Sequence, residues 1–124
     1  MTTITTDQYR ALVARRMPER DLQSLVVSRA TAHGWHVWHD NATNHRAACR
    51  QCGAPVSQAR NRKGLPDLLM VRDRVVWAEL KTERGTCTPE QRAFLDQLQA
   101  AGQEVHVLRP SDIGRLDDLL AVRS

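Results

Sequence analysis

Residues Gly64 to Lys81 read GLPDLLMVRDRVVWAELK, and the fold of the 124-residue chain turns on them. Gly64-Leu65-Pro66 is a turn, and Asp67 stands at the entry to an apolar run, Leu68 to Val71. Arg72-Asp73-Arg74 is polar; a second apolar run, Val75 to Leu80, carries Glu79 and ends against Lys81. Two short apolar or β-branched runs around a polar turn predict a β-hairpin. Side chains alternate across a strand, so Trp77, Glu79 and Lys81 share one face and Val76, Ala78 and Leu80 the other. A carboxylate and an ammonium therefore stand side by side on a strand whose other residues are apolar. Glu and Lys are rarely buried unless paired or holding a metal.

One explanation is metal-assisted hydrolysis of a phosphodiester. Mg²⁺ prefers hard oxygen ligands and is typically held by one or two carboxylates, waters and substrate phosphates. Asp67 at the start of one strand and Glu79 near the end of its partner are placed to converge on such an ion. Lys81 is placed to reach the attacking water or the phosphate and to stabilise developing negative charge. The plain alternative is a surface hairpin with a solvated Glu–Lys pair, which contributes little. Spacing alone leaves both open.

Pro66-Asp67, an apolar hairpin and then Glu79-Leu80-Lys81 look like the signature of the PD-(D/E)XK nucleases. More narrowly, GLPDLLMV, WAELKTERG and TPEQRAFLDQLQAAG, in that order, resemble the VRR-NUC family. The likeness runs from about Glu19 to about Pro110, with a break between about Asn41 and Lys63. It implies an α/β fold with a restriction-endonuclease-like αβββαβ core, a small mixed sheet flanked by helices. It also implies a Mg²⁺- or Mn²⁺-dependent DNA endonuclease. Stand-alone relatives are associated with branched DNA, including Holliday junctions, and work as homodimers.

Carried onto this chain, the resemblance makes Asp67 and Glu79 metal ligands, with the Leu80 backbone carbonyl as a further ligand and Lys81 beside them. In the family a Glu four residues before a Gln on the first helix joins the metal site. Glu19 and Gln23 fit that spacing, Glu19 as an acidic ligand and Gln23 as a supporting polar group. Without the resemblance, Glu19 is an acid favouring a helix N-terminus. Gln91 matches the Gln that follows a helix cap and is expected near the site, although capping alone also explains it. Residues 1–16 form an N-terminal helical extension, and 17–124 the nuclease domain with a basic, Cys-containing insert at 41–63.

The length suits one domain with a single core. Composition, 41% hydrophobic and 26% charged, is that of a globular protein. No run approaches the ~20 apolar residues of a membrane span. MTTITTDQYR lacks the basic-then-apolar layout of a signal peptide, so a cytoplasmic location is expected. Three cysteines argue against a disulfide framework. A net charge of +4 suits a polyanionic partner. No glycine-rich phosphate loop is present, and no small-molecule cofactor is expected.

Along the chain, Thr5-Thr6-Asp7-Gln8 opens a helix to about Arg16, with Leu12 and Val13 as its apolar contacts and Tyr9 packing. Pro18 fits the first turn of a longer helix to about His33, ended by Gly34, with Leu22, Leu25, Val26 and Ala30 inward. Trp35 to His39 alternates as a strand, both tryptophans being expected in the core. Thr88-Pro89-Glu90-Gln91 caps a helix to about Ala101, with Phe94, Leu95, Leu98 and Ala101 as its core face and Gly102 as its stop. Val105 to Leu108 is a last strand. Ser111 caps a terminal helix through about Val122, with Leu116, Leu119 and Leu120 inward and Gly114 weakening its first turns.

Between Asn41 and Gly64 periodicity disappears. Arg46, Arg50, Arg60, Arg62 and Lys63 lie there with no acidic residue, so positive charge gathers just before the proposed metal site. With Arg84, and Arg92 on the following helix, these are candidate contacts to the DNA backbone. The insert also holds Cys49-Arg50-Gln51-Cys52-Gly53, shaped like half a zinc knuckle. His45, His39, His36, His33 and Cys87 are candidates to complete a structural Zn²⁺ site, with plain reduced thiols or redox chemistry as the alternatives. Two further functional classes stay open: an inactive DNA-binding module of the same fold, and a zinc-organised adaptor binding protein through the Cys49 loop.

Overall fold

The structure, a computed structural model, describes residues 3–39, 47–48, 51–53, 55–56 and 64–122. In chain order these form α1 (Thr6–Arg16), α2 (Glu19–Ala32), β1 (His36–His39), a ribbon of β2 (Ala47–Ala48) and β3 (Pro55–Val56), β4 (Leu68–Val71) and β5 (Val75–Leu80). Then come α3 (Pro89–Ala100), β6 (Glu104–Leu108), a 3₁₀ segment (Pro110–Arg115) and α4 (Leu116–Leu120). β4 and β5 are the predicted hairpin, with Leu68 opposite Ala78 and Val71 opposite Val75. β1 runs antiparallel to β4, and β6 parallel to β5, giving the order β1-β4-β5-β6. This is the small mixed sheet flanked by helices that the αβββαβ order implies.

Strand alternation divides the work between the two faces of the sheet. One face presents Leu68, Met70, Val76, Ala78, Leu80 and Leu108, which pack with Leu22, Val26 and Ala30 of α2 and Leu116 and Leu120 of α4. All are essentially buried, and truncating a Leu or Met there is expected to cost about 2–5 kcal/mol. The other face carries Trp38, Leu69, Trp77 and Glu79 and receives α3, whose Leu95 is buried.

Helix ends follow their sequence signals. Thr5 with Gln8, and Thr88 with Gln91, form complete capping boxes. Gly34, just past α2, takes φ +85°, a left-handed conformation that only glycine adopts readily. Trp35 follows it into the core, and its indole N–H donates to the Leu120 carbonyl at 2.9 Å. Both arginines of the hairpin turn lie over this ring, Arg72 at 4.7 Å and Arg74 at 5.0 Å from its centroid. Arg72 also donates to the His33 carbonyl, and Arg74 to the Leu119 carbonyl and Glu104. The polar turn thereby ties together the end of α2, α4 and β6.

Several expectations are corrected. α1 buries no residue; Tyr9, Leu12 and Val13 are exposed, because the helix lies outside the sheet sandwich. Trp38 is exposed, since its face of β1 is not covered as Trp35 is. Ala101 is exposed at the C-cap of α3. Pro18 is the N-cap of α2 and not a residue of its first turn. The terminal helix is a 3₁₀ segment followed by five α-helical residues ending at Leu120. Pro110 opens that segment and Gly114 interrupts helix-favouring sequence, while Ser111 donates its N–H to Glu83 and caps nothing. The insert contributes the β2–β3 ribbon, which periodicity did not reveal.

Gly64 fixes how the Asp67 turn meets α3. Its φ is +99°, and a Cβ there would lie 2.5 Å from the Glu90 carbonyl oxygen and 3.0 Å from the Gln91 nitrogen. The turn is pressed against the first turn of α3. Gly64→Ala should lower the thermal midpoint by about 5–10 °C, from left-handed backbone strain of about 1–2 kcal/mol plus displacement of the helix start. An unchanged midpoint would show that this approach is not tight.

Candidate active site

The hairpin and α3 meet at Glu79. It faces α3 from β5, only 1% exposed, and is the buried charged residue among those described. Its Oε1 accepts from the Gln91 side-chain amide at 3.1 Å and lies 3.5 Å from the Lys81 ammonium. Gln91 has a second task in the same amide, since its Oε1 accepts the Thr88 N–H of the capping box at 2.9 Å. One side chain thus starts α3 and orients the buried carboxylate. Its Oε2, also buried, has no hydrogen-bond donor.

Asp67 sits across the hairpin from Glu79. Its Oδ2 accepts the Leu80 N–H at 2.8 Å, so the carboxylate is held by the backbone next to Glu79. Burial, then the neighbouring Asp67 carboxyl, push the Glu79 carboxyl up to about 8; Lys81 opposes this. Glu19, at the start of α2, is mostly exposed, yet partial desolvation and then Asp67 hold its carboxyl above the usual range, with Lys81 again opposing. Asp67 is therefore the acid felt by both others.

A divalent cation would answer this geometry. It would supply the ligand that Glu79 Oε2 lacks and remove the repulsion that raises the Glu79 carboxyl. Among the described residues no three of His, Cys, Asp and Glu stand close enough to hold a metal by themselves. The Asp67–Glu79 pair instead matches a Mg²⁺-type site completed by water and substrate phosphate.

The other expected residues are dispersed. Gln23 is 3.3 Å from His39 Nδ1, so it ties α2 to the end of β1. That tie occupies His39, one of the zinc candidates. His33 bonds Asp117 at the far end of α2, about 20 Å from Glu19 along the helix axis. His36 and Cys52 are exposed, and Cys87 is half-exposed. Cys49, His45, Arg46, Arg50, Arg60, Arg62 and Lys63 lie outside the described residues. Arg84 is exposed on the turn after Lys81, and Arg92 is exposed beside Asp96. A groove of about 870 Å³ lies between α1 and residues 110–117, and Glu19, Asp67 and Glu79 do not line it.

Sequence reasoning missed Arg109. Its guanidinium donates to the carbonyls of Thr82 at 2.7 Å and Gly85 at 2.6 Å, fixing the turn that follows Lys81. No local pattern around Arg109 signals this, because its partners are more than twenty residues away.

Residues 4–112 match the VRR-NUC domain. The chain belongs to the VRR-NUC family. A solved VRR-NUC domain has the same fold, with a TM-score of 0.57 and 22% identity over 82% of this chain and 92% of that one. Comparison with curated proteins gave no match. Membership makes this a nuclease-type domain with DNA as substrate, in a family that generally uses divalent metals. No described helix is long and apolar enough to cross a membrane.

The Glu79 shift sets a pH dependence. Folded, Glu79 keeps its proton to about pH 8; unfolded, it ionises near 4.5. The stability contributed by protonation is full below 4.5 and lost as pH rises through about 8. Without divalent metal, Glu79→Gln should melt close to wild type at pH 4.5 and increasingly above it towards pH 8–9. Parallel melting curves across that range would show that Glu79 is ionised throughout.

Proposed function

We propose that this VRR-NUC protein is a Mg²⁺- or Mn²⁺-dependent endodeoxyribonuclease that hydrolyses phosphodiester bonds in branched DNA, Holliday junctions included, as a cytoplasmic homodimer. The observation that carries the metal-dependent reading is Glu79. It is buried, anchored through one oxygen by Gln91 and Lys81, and left with an unpartnered oxygen beside Asp67. Such an arrangement is costly unless something cationic completes it.

Asp67 and Glu79, with the Leu80 carbonyl, would hold the ion, with Asp67 itself fixed through Oδ2 by the Leu80 N–H. A bound divalent cation supplies Lewis acidity toward the phosphate and lowers the pKa of water. Lys81 adds a fixed positive charge where negative charge develops on the phosphate. Gln91 keeps the Glu79 carboxylate from rotating away. Glu19 extends the acidic edge from α2, while Gln23 holds His39 at the end of β1. Arg84 and the basic residues of the insert, Arg46, Arg50, Arg60, Arg62 and Lys63, contact phosphates and set the position of the duplex arms. Two such sites in a symmetric dimer suit paired cuts across a junction.

The test is cleavage of labelled four-way junction, flap, single-stranded and linear duplex DNA with Mg²⁺ or Mn²⁺. Glu79→Ala and Lys81→Ala should each lower the rate by about 10²–10³-fold, as removal of a charge-stabilising group typically does. Gln91→Ala, one step back from the metal, should lose about 10–100-fold. DNA binding by wild type without cutting of any substrate would replace the nuclease with an inactive binding module.

A further inference from the structure

The face of the sheet that carries Glu79 also carries an aromatic row. Trp38 lies opposite Leu69, and Leu69 opposite Trp77. Two residues along β5 from Trp77 is Glu79, and two residues back along β4 from Leu69 is Asp67, so the acids form the next row of the same face. The rows are about 7 Å apart. α3 packs on the β6 side of this face, and on the β1 side Trp38 stays exposed. Trp77 is half-buried there, its indole N–H donating to Gln103 at 3.2 Å. Trp38 is 51% exposed, and Val71 and Val75 beyond it are 38% and 40% exposed.

With Val71 and Val75, Trp38 makes an exposed apolar patch, and such patches mark interaction sites. The substrate supplies the occupant. If a scissile phosphate sits at Asp67 and Glu79, the adjoining nucleotide lies about one extended step away, over the Trp38 row. A base has a free π-face for an indole only when it is unpaired or unstacked; in duplex both faces are covered by neighbours. The net charge of +4 favours the same polyanionic occupant.

We infer that Trp38 is a base-stacking platform that selects DNA with an unstacked nucleotide, at a branch point or in a single strand, beside the phosphate held at Asp67 and Glu79. The inference rests on the nuclease reading for the position of the phosphate. It makes Trp38 a specificity residue, with discrimination arising from the state of the base and not its identity.

Binding is measured by fluorescence anisotropy in EDTA, so that no strand is cut, with a labelled oligo-dT, a gapped duplex and a fully paired duplex. Wild type should bind the first two more tightly than the third. Trp38→Ala should weaken the first two by about 5–100-fold and leave the duplex unchanged, while Trp38→Phe, which keeps a π-face, stays within about 3-fold of wild type. Its exposed position predicts an unaltered thermal midpoint, which separates lost stacking from lost folding. Equal affinities of Trp38→Ala and wild type, equal loss on all three DNAs, or a changed oligomeric state with unchanged single-strand affinity (a second copy on this face) would each overturn the platform. Metal-dependent cutting that Glu79→Ala abolishes, without a Trp38 effect, would sink the platform and keep the nuclease. A Trp38 effect in a protein that cuts nothing would do the reverse.

Discussion

A carboxylate removed from water needs partners, and the structure is arranged around supplying them to Glu79. Two donors reach it, Gln91 from α3 and Lys81 from two residues along the chain, while Asp67, just before the neighbouring strand, stands beside it as a competing acid. Each depends on an element being in its place. Gln91 is placed by the Thr88 cap, Lys81 by the pairing of its N–H with the Leu108 carbonyl on β6, and Asp67 by its bond to Leu80. What remains unsatisfied is one buried oxygen, aimed where a cation and a phosphate would meet. A surface hairpin with a solvated ion pair leaves no such oxygen.

Strong packing on the opposite face makes this tolerable. The hydrophobic core formed by α2, α4 and the sheet lies entirely behind the site, and the Trp35 ring with its two arginines fastens the hairpin turn at the other end of the strands. The hairpin is therefore held from behind and at its tip, while its open end carries the acids. Strain and like-charge repulsion accumulate where the scaffold is best able to bear them.

The hairpin was legible because its alternation is regular and its charged residues fall on one face. The capping boxes were legible because Thr and Gln stand at fixed offsets. Less legible was whatever depends on contacts across the fold. Leu12 and Val13 look like core until the fold places α1 outside the sandwich, and Trp38 looks like Trp35 until the helices are seen to cover one face more fully than the other. Gln23 fits a family spacing toward Glu19, but its amide finds His39, a partner sixteen residues on. Asp67, Glu79 and Lys81 were readable as a set, and Gln91 as a cap expected near them; that one amide serves both the cap and Glu79 needed the geometry.

That shared amide has a consequence for how the protein fluctuates. Helix ends fray more readily than cores, and amide exchange at the first turn of α3 reports that opening. Because Gln91 serves cap and carboxylate together, fraying of that turn and loss of order at Glu79 are one cooperative event. The local opening free energy of a helix end thus sets how often the buried carboxylate is held in place.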